Sequence, residues 1–204
     1  MKLFKRVVIS TIGMTMLSIG IGFIINSHFG DDILTLSIEA FRKIWPLSVG
    51  TYNLIYGSIM VIVALVLDRR KIGYATVYYV VVGMFLIDKA IEIIPIATSI
   101  YIKLLYSLIA IVLMSLSVGL TIAARLGLGY YDAFLYAVSD KLKTSYVVCR
   151  YILEGSLLIF SIFLKTYPGI GSIIYFFVLG PAVNWTVNKL KKPIRKYIGT
   201  YTED

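Results

Sequence analysis

Five stretches of this 204-residue chain carry no Asp, Glu, Lys or Arg: Val7–Gly30, Ile44–Leu67, Ile72–Ile87, Leu104–Ala124 and Thr166–Asn188. A bilayer core about 30 Å thick is crossed by roughly 20 apolar residues in a helix. Inside lipid, helices satisfy their backbone N–H and C=O groups within the segment itself. A sixth stretch, Tyr146–Leu164, is apolar except for Arg150 and Glu154. The pattern predicts six membrane helices, at about 6–26, 47–67, 72–94, 102–124, 146–165 and 170–190. They use nearly the whole chain, so a single membrane domain over 1–204 is expected, ending in a basic tail at 191–204. With 59% hydrophobic residues and a mean hydropathy of +0.87, the chain lies well outside the 45–50% apolar share of soluble domains.

The order of small and charged residues repeats along the chain. Ser18-Ile-Gly-Ile-Gly22, His28-Phe-Gly30-Asp-Asp32, Gly57-Ser58, Ile72-Gly73, Tyr78 and Gly83 are followed by a second series. That series is Ser117-Val-Gly119, Arg125-Leu-Gly127 with Asp132, Gly155-Ser156, Ile170-Gly171, Tyr175 and Gly180. The repeats cover about 6–94 and 102–190, each with three expected spans. An odd number of spans makes the second copy enter the membrane from the opposite side. Inverted repeats of this kind build many transporters, with the working site at the repeat interface. The fold class expected is therefore an all-α polytopic membrane protein made of two inverted three-helix repeats.

A net charge of +9 suggests nucleic acid in a soluble protein; here it reads as the excess of basic residues on the cytoplasmic side. With the N-terminus inside, Lys2, Lys5, Arg6, Arg69, Arg70, Lys71, Arg125, Lys141, Lys143, Lys189, Lys191, Lys192, Arg195 and Lys196 all fall inside. Only Arg42, Lys43, Lys89, Lys103 and Lys165 fall outside, and Arg150 lies within a helix. Both termini are expected in the cytoplasm of a bacterial cell, in a multi-pass plasma-membrane protein. The basic, apolar N-terminus resembles a signal peptide, but its run is too long and Asn26-Ser27-His28 is a poor cleavage site.

Each first span is followed by a short amphipathic segment. Asp31–Trp45 sets Ile33, Leu34, Leu36, Ile38, Phe41 and Ile44 among charges, and Tyr130–Leu142 does the same with Ala133, Phe134, Leu135, Ala137 and Val138. Gly30-Asp-Asp32 and Gly129-Tyr-Tyr-Asp132 introduce them, with Gly for a sharp turn and Asp for a cap. Two geometries fit, a helix lying on the bilayer surface or a re-entrant half-helix. Ser18-x3-Gly22 and Ser115-x3-Gly119 are small-x3-small patterns that let backbones approach. They are expected where the first and fourth spans cross.

Ionisable groups at membrane depth are costly and mark functional sites. Asp132, beside the double-glycine turn Leu126-Gly-Leu-Gly129, is the first candidate, with helix capping as its competing role. Arg125 either balances it or anchors the helix end at the headgroups. Arg150 and Glu154 lie one turn apart and can pair, either structurally or along a cavity. Asp32, His28, Asp88 and Asn184 complete the candidate pathway. Tyr130-Tyr131 and Tyr78-Tyr79 stand apart from the other tyrosines, which read as interface residues. Cys149 is the only cysteine, so intramolecular disulfides are excluded. No nucleophile elbow, zinc-protease motif or phosphate loop occurs; no enzyme activity, metal or cofactor is expected.

Leu126-Gly-Leu-Gly-Tyr-Tyr-Asp132 and Gly180-Pro-Ala-Val-Asn184 resemble elements of the YczE/YyaS/YitT-like bacterial integral membrane proteins. In that family a Leu-Gly-x-Gly-Pro-Trp-Asp element follows a Gly-rich helix, and a Gly-Pro-x-x-Asp element lies in the last one. Here Tyr130 and Tyr131 replace Pro and Trp, and Asn184 stands where an acid is expected. The resemblance implies the fold and membrane location, and carries over to Asp132 better than to Asn184. The function expected is that of a small-solute transporter or permease, with lipid, solute and a homo-oligomeric or partner membrane subunit as contacts and no nucleic acid. A substrate-binding subunit of a multi-component transporter, and a membrane assembly or regulatory protein without transport, are the alternatives.

Overall fold

The computed structural model describes residues 2–199. Among them there are eight α-helices and no strand. In chain order they are α1 (Lys2–Ser27), α2 (Ile33–Arg42), α3 (Val49–Asp68), α4 (Tyr74–Ile93), α5 (Ile100–Ala124), α6 (Tyr130–Leu142), α7 (Tyr146–Phe163) and α8 (Ile170–Ile198). A 3-10 turn, Arg69–Lys71, extends α3. Five helices are long and apolar enough to cross a membrane: α1, α3 with its 3-10 turn, α5, α7 and α8. The expected third span, 72–94, forms α4, a helix of 20 residues that is not one of those five; Asp88, Lys89 and Glu92 lie in its last two turns. The last helix does not stop at 190. α8 continues through Pro193 to Ile198 and ends at Gly199, which adopts φ +81°; residues 200–204 lie outside the described part.

The outer surface is apolar and the interior is rich in small polar groups. Val66 and Phe163 are each 82% exposed, and Ile59, Ile62, Leu108 and Phe177 also face outward. Inside lie Ser10, Ser18, Ser117, Thr121, Ser161 and Ser172. Thr121 and Ser161 return their hydroxyls to carbonyls of their own helices. Soluble proteins do not leave so much contiguous apolar surface in water; lipid tails solvate it instead. This is the architecture of a membrane protein.

α1 and α5 form the central crossing, and small residues set its distance. A Cβ on Gly13 would meet Thr121 Cγ2 at 3.0 Å, and one on Gly20 would meet Met114 Cγ at 2.9 Å. The predicted pairs serve other contacts. Gly22 faces Ala90 of α4 and Gly119 faces Thr186 of α8, while the Ser18 and Ser115 hydroxyls bond the carbonyls of Met14 and Ile111 in their own helices. Spacing alone marks a close approach without saying which neighbour approaches. Here the neighbours of Gly22 and Gly119 are the last long helices of their own halves.

The two connections after α1 and α5 are built alike. His28 (φ 46°) and Arg125 (φ 55°) are both left-handed, and Gly30 (φ 139°) and Gly127 (φ 93°) follow two residues later. Each glycine is pressed against the start of a helix in the other half. A Cβ on Gly30 would lie 2.6 Å from the Ser172 nitrogen, and one on Gly127 2.5 Å from that of Gly73. Backbone bonds close both junctions, Gly171 N–H to Phe29 C=O at 3.0 Å and Ala75 N–H to Leu126 C=O at 2.9 Å. Positive φ and a backbone neighbour inside van der Waals distance leave glycine as the residue that fits.

Candidate functional site

The short helices bring their first turns to one place. Asp32 is the N-cap of α2, accepting from Thr35 N–H at 3.4 Å and Thr35 Oγ1–H at 2.5 Å. The far end of α2 lies apart from it, where Lys43 donates to the carbonyl of Lys165. α6 begins with Tyr130-Tyr131-Asp132 and finishes away from it, where Asp140 pairs with Lys71 at 2.7 Å. Asp132 is not the cap of α6; Gly129 holds that position and Asp132 is the third helical residue.

Between these first turns lies a cavity of about 60 Å³. At about 10–15 Å³ for each water-sized position, it holds four to six such positions. The first half contributes Asp32 and Thr35 from α2, Asn53 from α3 and Tyr79 from α4. The second contributes Tyr130, Tyr131 and Asp132 from α6, with Arg150 and Glu154 from α7. α1, α5 and α8 supply apolar wall, including Leu17, Met114 and Val183.

The polar groups form a network with open ends. Arg150 Nη2 lies 2.7 Å from Glu154 Oε1, and their side chains are 7% and 3% exposed. Tyr131 donates to the same Glu154 oxygen at 2.8 Å, and its ring lies 5.7 Å from the guanidinium carbon of Arg150. Tyr146 donates to Asp132 Oδ1 at 2.7 Å. Tyr130 donates to Asn53 Oδ1 and stacks on Tyr79 with ring centroids 5.4 Å apart. Among the described residues, Asn53 Nδ2, Arg150 Nε and Glu154 Oε2 are buried with no hydrogen-bond partner. Buried polar atoms are nearly always satisfied, so these three are positioned for water or a solute.

Three carboxylates thus face one guanidinium. Two helix N-termini, each equivalent to about +0.5 charge, also face the cavity and offset part of the excess. With all groups ionised, about one negative charge remains.

A sequence profile described as "Family of unknown function (DUF6198)" matches residues 4–188, nearly the whole chain. The chain belongs to DUF6198. An uncharacterized protein of Haemophilus influenzae is 22% identical over 185 residues, covering 91% of this chain and 84% of its own length. No solved structure matches. These findings give this family membership and do not extend to the YczE/YyaS/YitT-like grouping.

Within this DUF6198 chain, four of the eight expected pathway residues meet: Asp32, Asp132, Arg150 and Glu154 all line the cavity. The other four do not. His28 is exposed at the end of α1, its carbonyl accepting from Lys103 Nζ at 3.4 Å. Asp88 caps the start of α3, accepting from Ser48 Oγ at 2.7 Å and Gly50 N–H at 2.9 Å. Asn184 is exposed, one residue beyond Val183 on the wall. Arg125 lines a separate cavity of about 430 Å³ with Arg70, Lys71 and Lys191, a cluster of basic side chains. Asn53 and Thr35 had no sequence signal of their own, being uncharged residues common in membrane helices. The tyrosine pairs did carry one, and Tyr79, Tyr130 and Tyr131 reach the cavity.

Proposed function

We propose that the protein is a small-solute transporter in which two inverted repeats, α1–α4 and α5–α8, share the central cavity as their binding site. α4 acts as the sixth span, with both termini cytoplasmic, and α2 and α6 are re-entrant half-helices that enter from opposite sides. Matched left-handed turns at His28 and Arg125, and matched glycine junctions at Gly30 and Gly127, support the repeat. The observation that carries the functional reading is the cavity itself, lined by the first turns of both half-helices and holding buried polar atoms without partners. Discontinuous helices whose N-termini meet near the midplane form the binding sites of inverted-repeat transporters.

Alternating access requires the cavity wall to meet water from both sides. Val183, 3% exposed on the wall, is replaced by cysteine in a Cys149→Ala background and reconstituted in oriented vesicles. A membrane-impermeant cationic methanethiosulfonate is then applied from either side. Reaction from both sides is expected; a thiol inert from both would remove the transport reading.

A further inference from the structure

The charge balance and walls of the cavity specify its occupant further, on the reading that a solute binds there. Asp32, Asp132 and Glu154 outnumber Arg150, and Arg150 is already engaged by Glu154. Asp32 is engaged by its own helix, through the Thr35 backbone and hydroxyl. The uncompensated charge therefore rests on Asp132, and Glu154 brings the free oxygen of its ion pair. Glu154 Oε2 has no protein partner, and Glu154 is 2% exposed. Facing these acids are Tyr79 and Tyr130 from α4 and α6, Tyr131 from α6, and Tyr146 from α7. α1, α5 and α8 bring only apolar groups, so no second cation meets the carboxylates there.

We infer that the cavity takes a small monovalent organic cation, an ammonium or guanidinium head of about four heavy atoms, held by Asp132 and Glu154 against tyrosine rings. Each part of that description comes from a separate feature. One surplus negative charge sets the valence. A buried carboxylate oxygen without a donor calls for an N–H group on the ligand. The room for four to six water positions sets the size. Aromatic faces attract cations, more strongly when desolvated. A bare metal ion fits less well, because among the described residues no three His, Cys, Asp or Glu groups converge as ligands. The unpaired amide of Asn53 then faces any acceptor atom the solute carries. Protons compete with the cation for the same two carboxylates, so the bound cation leaves as the acids are protonated.

The test compares guanidinium with urea, a neutral molecule of the same shape, and with acetate. The Val183→Cys, Cys149→Ala protein in detergent reacts with N-ethylmaleimide, a neutral reagent, while each probe is titrated. Guanidinium and methylammonium should slow the reaction at least tenfold, and urea and acetate should not. Protection should disappear in Asp132→Asn and in Glu154→Gln, each checked for folding by size exclusion, and should weaken as the pH falls. Equal protection by urea or acetate would overturn the cation class while leaving a solute cavity in place. Protection by guanidinium that survives both variants would overturn the assignment to these carboxylates. A cysteine that never reacts would remove the solute reading together with the cation.

Discussion

Arg150→Met is the perturbation that most directly tests the charge balance of the cavity. Arg150 pairs with Glu154 at 2.7 Å in a setting where neither side chain is more than 7% exposed. Its removal leaves Asp32, Asp132 and Glu154 around one cavity with no cation. Breaking a buried pair by deleting one partner costs about 3–5 kcal/mol. Glu154→Gln is the matched control. The amide keeps a carbonyl oxygen for Arg150 and Tyr131, and Arg150 still faces two acids. The loss is then one of charge assistance, about 1–2 kcal/mol, since ionised hydrogen bonds are roughly twice as strong as neutral ones. The two variants should differ by about 1–4 kcal/mol, at least some fivefold in the unfolding constant. Denaturation in mixed micelles by added dodecyl sulfate, followed by circular dichroism, reads the difference. A second change, Asp132→Asn on Arg150→Met, should recover about 1 kcal/mol or more, since groups in one network couple by about 0.5–3 kcal/mol. If Arg150→Met costs no more than Glu154→Gln, the carboxylates do not depend on the guanidinium and the charge count fails.

Tyr146→Phe removes the donor at 2.7 Å from Asp132 and should lower stability in the same assay by about 1.5–3 kcal/mol; no change would mean that this hydroxyl is replaced by water. Gly127→Ala places a Cβ 2.5 Å from the Gly73 nitrogen at a positive φ and should cost more than 1 kcal/mol, whereas Gly155→Ala, with nothing within 4 Å of its Cβ, should gain about 0.5–1 kcal/mol from helix propensity. Single cysteines at Trp45 and Lys143, both exposed just beyond α2 and α6, should be labelled by an impermeant maleimide from opposite sides of the membrane in a Cys149→Ala background; labelling from one side only would refute the inverted arrangement.

The helices were legible because lipid narrows the choices. An apolar run long enough to span the hydrocarbon must hydrogen-bond itself, so α1, α3, α5 and the first two thirds of α8 follow from the absence of charge, and α7 from an apolar run interrupted only by Arg150 and Glu154. α2 and α6 were legible as short amphipathic helices introduced by glycine and aspartate, but their direction was not. Nothing local distinguishes a helix lying on a surface from one whose first turn reaches the bundle centre. That difference is set by the Gly30–Ser172 and Gly127–Gly73 approaches, contacts between residues far apart in sequence. The same applies to Gly22 and Gly119, whose spacing announces a close neighbour without naming it.

The charges of the site were only half legible, because the two connections match in backbone and not in chemistry. Aligned on Gly30 and Gly127, the partner of Asp32 is Gly129, and each is the N-cap of its short helix. The partner of Asp132 is Thr35, the third residue of α2. Both Thr35 and Asp132 reach the cavity, one with a hydroxyl and the other with a carboxylate. Reading Asp32 and Asp132 as equivalents therefore places the right residues at the cavity through a register three residues off. The consequence is physical. Asp32 is consumed by its own helix start, whereas Asp132 is one turn further in and accepts from Tyr146. Replacing Thr35 by aspartate would add a further buried carboxylate to one guanidinium and should destabilise the fold. Two helices with the same backbone thus deliver one acid that is already satisfied and one that is not. The acid left unsatisfied, Asp132, belongs to α6, so the free charge sits on that side of the cavity.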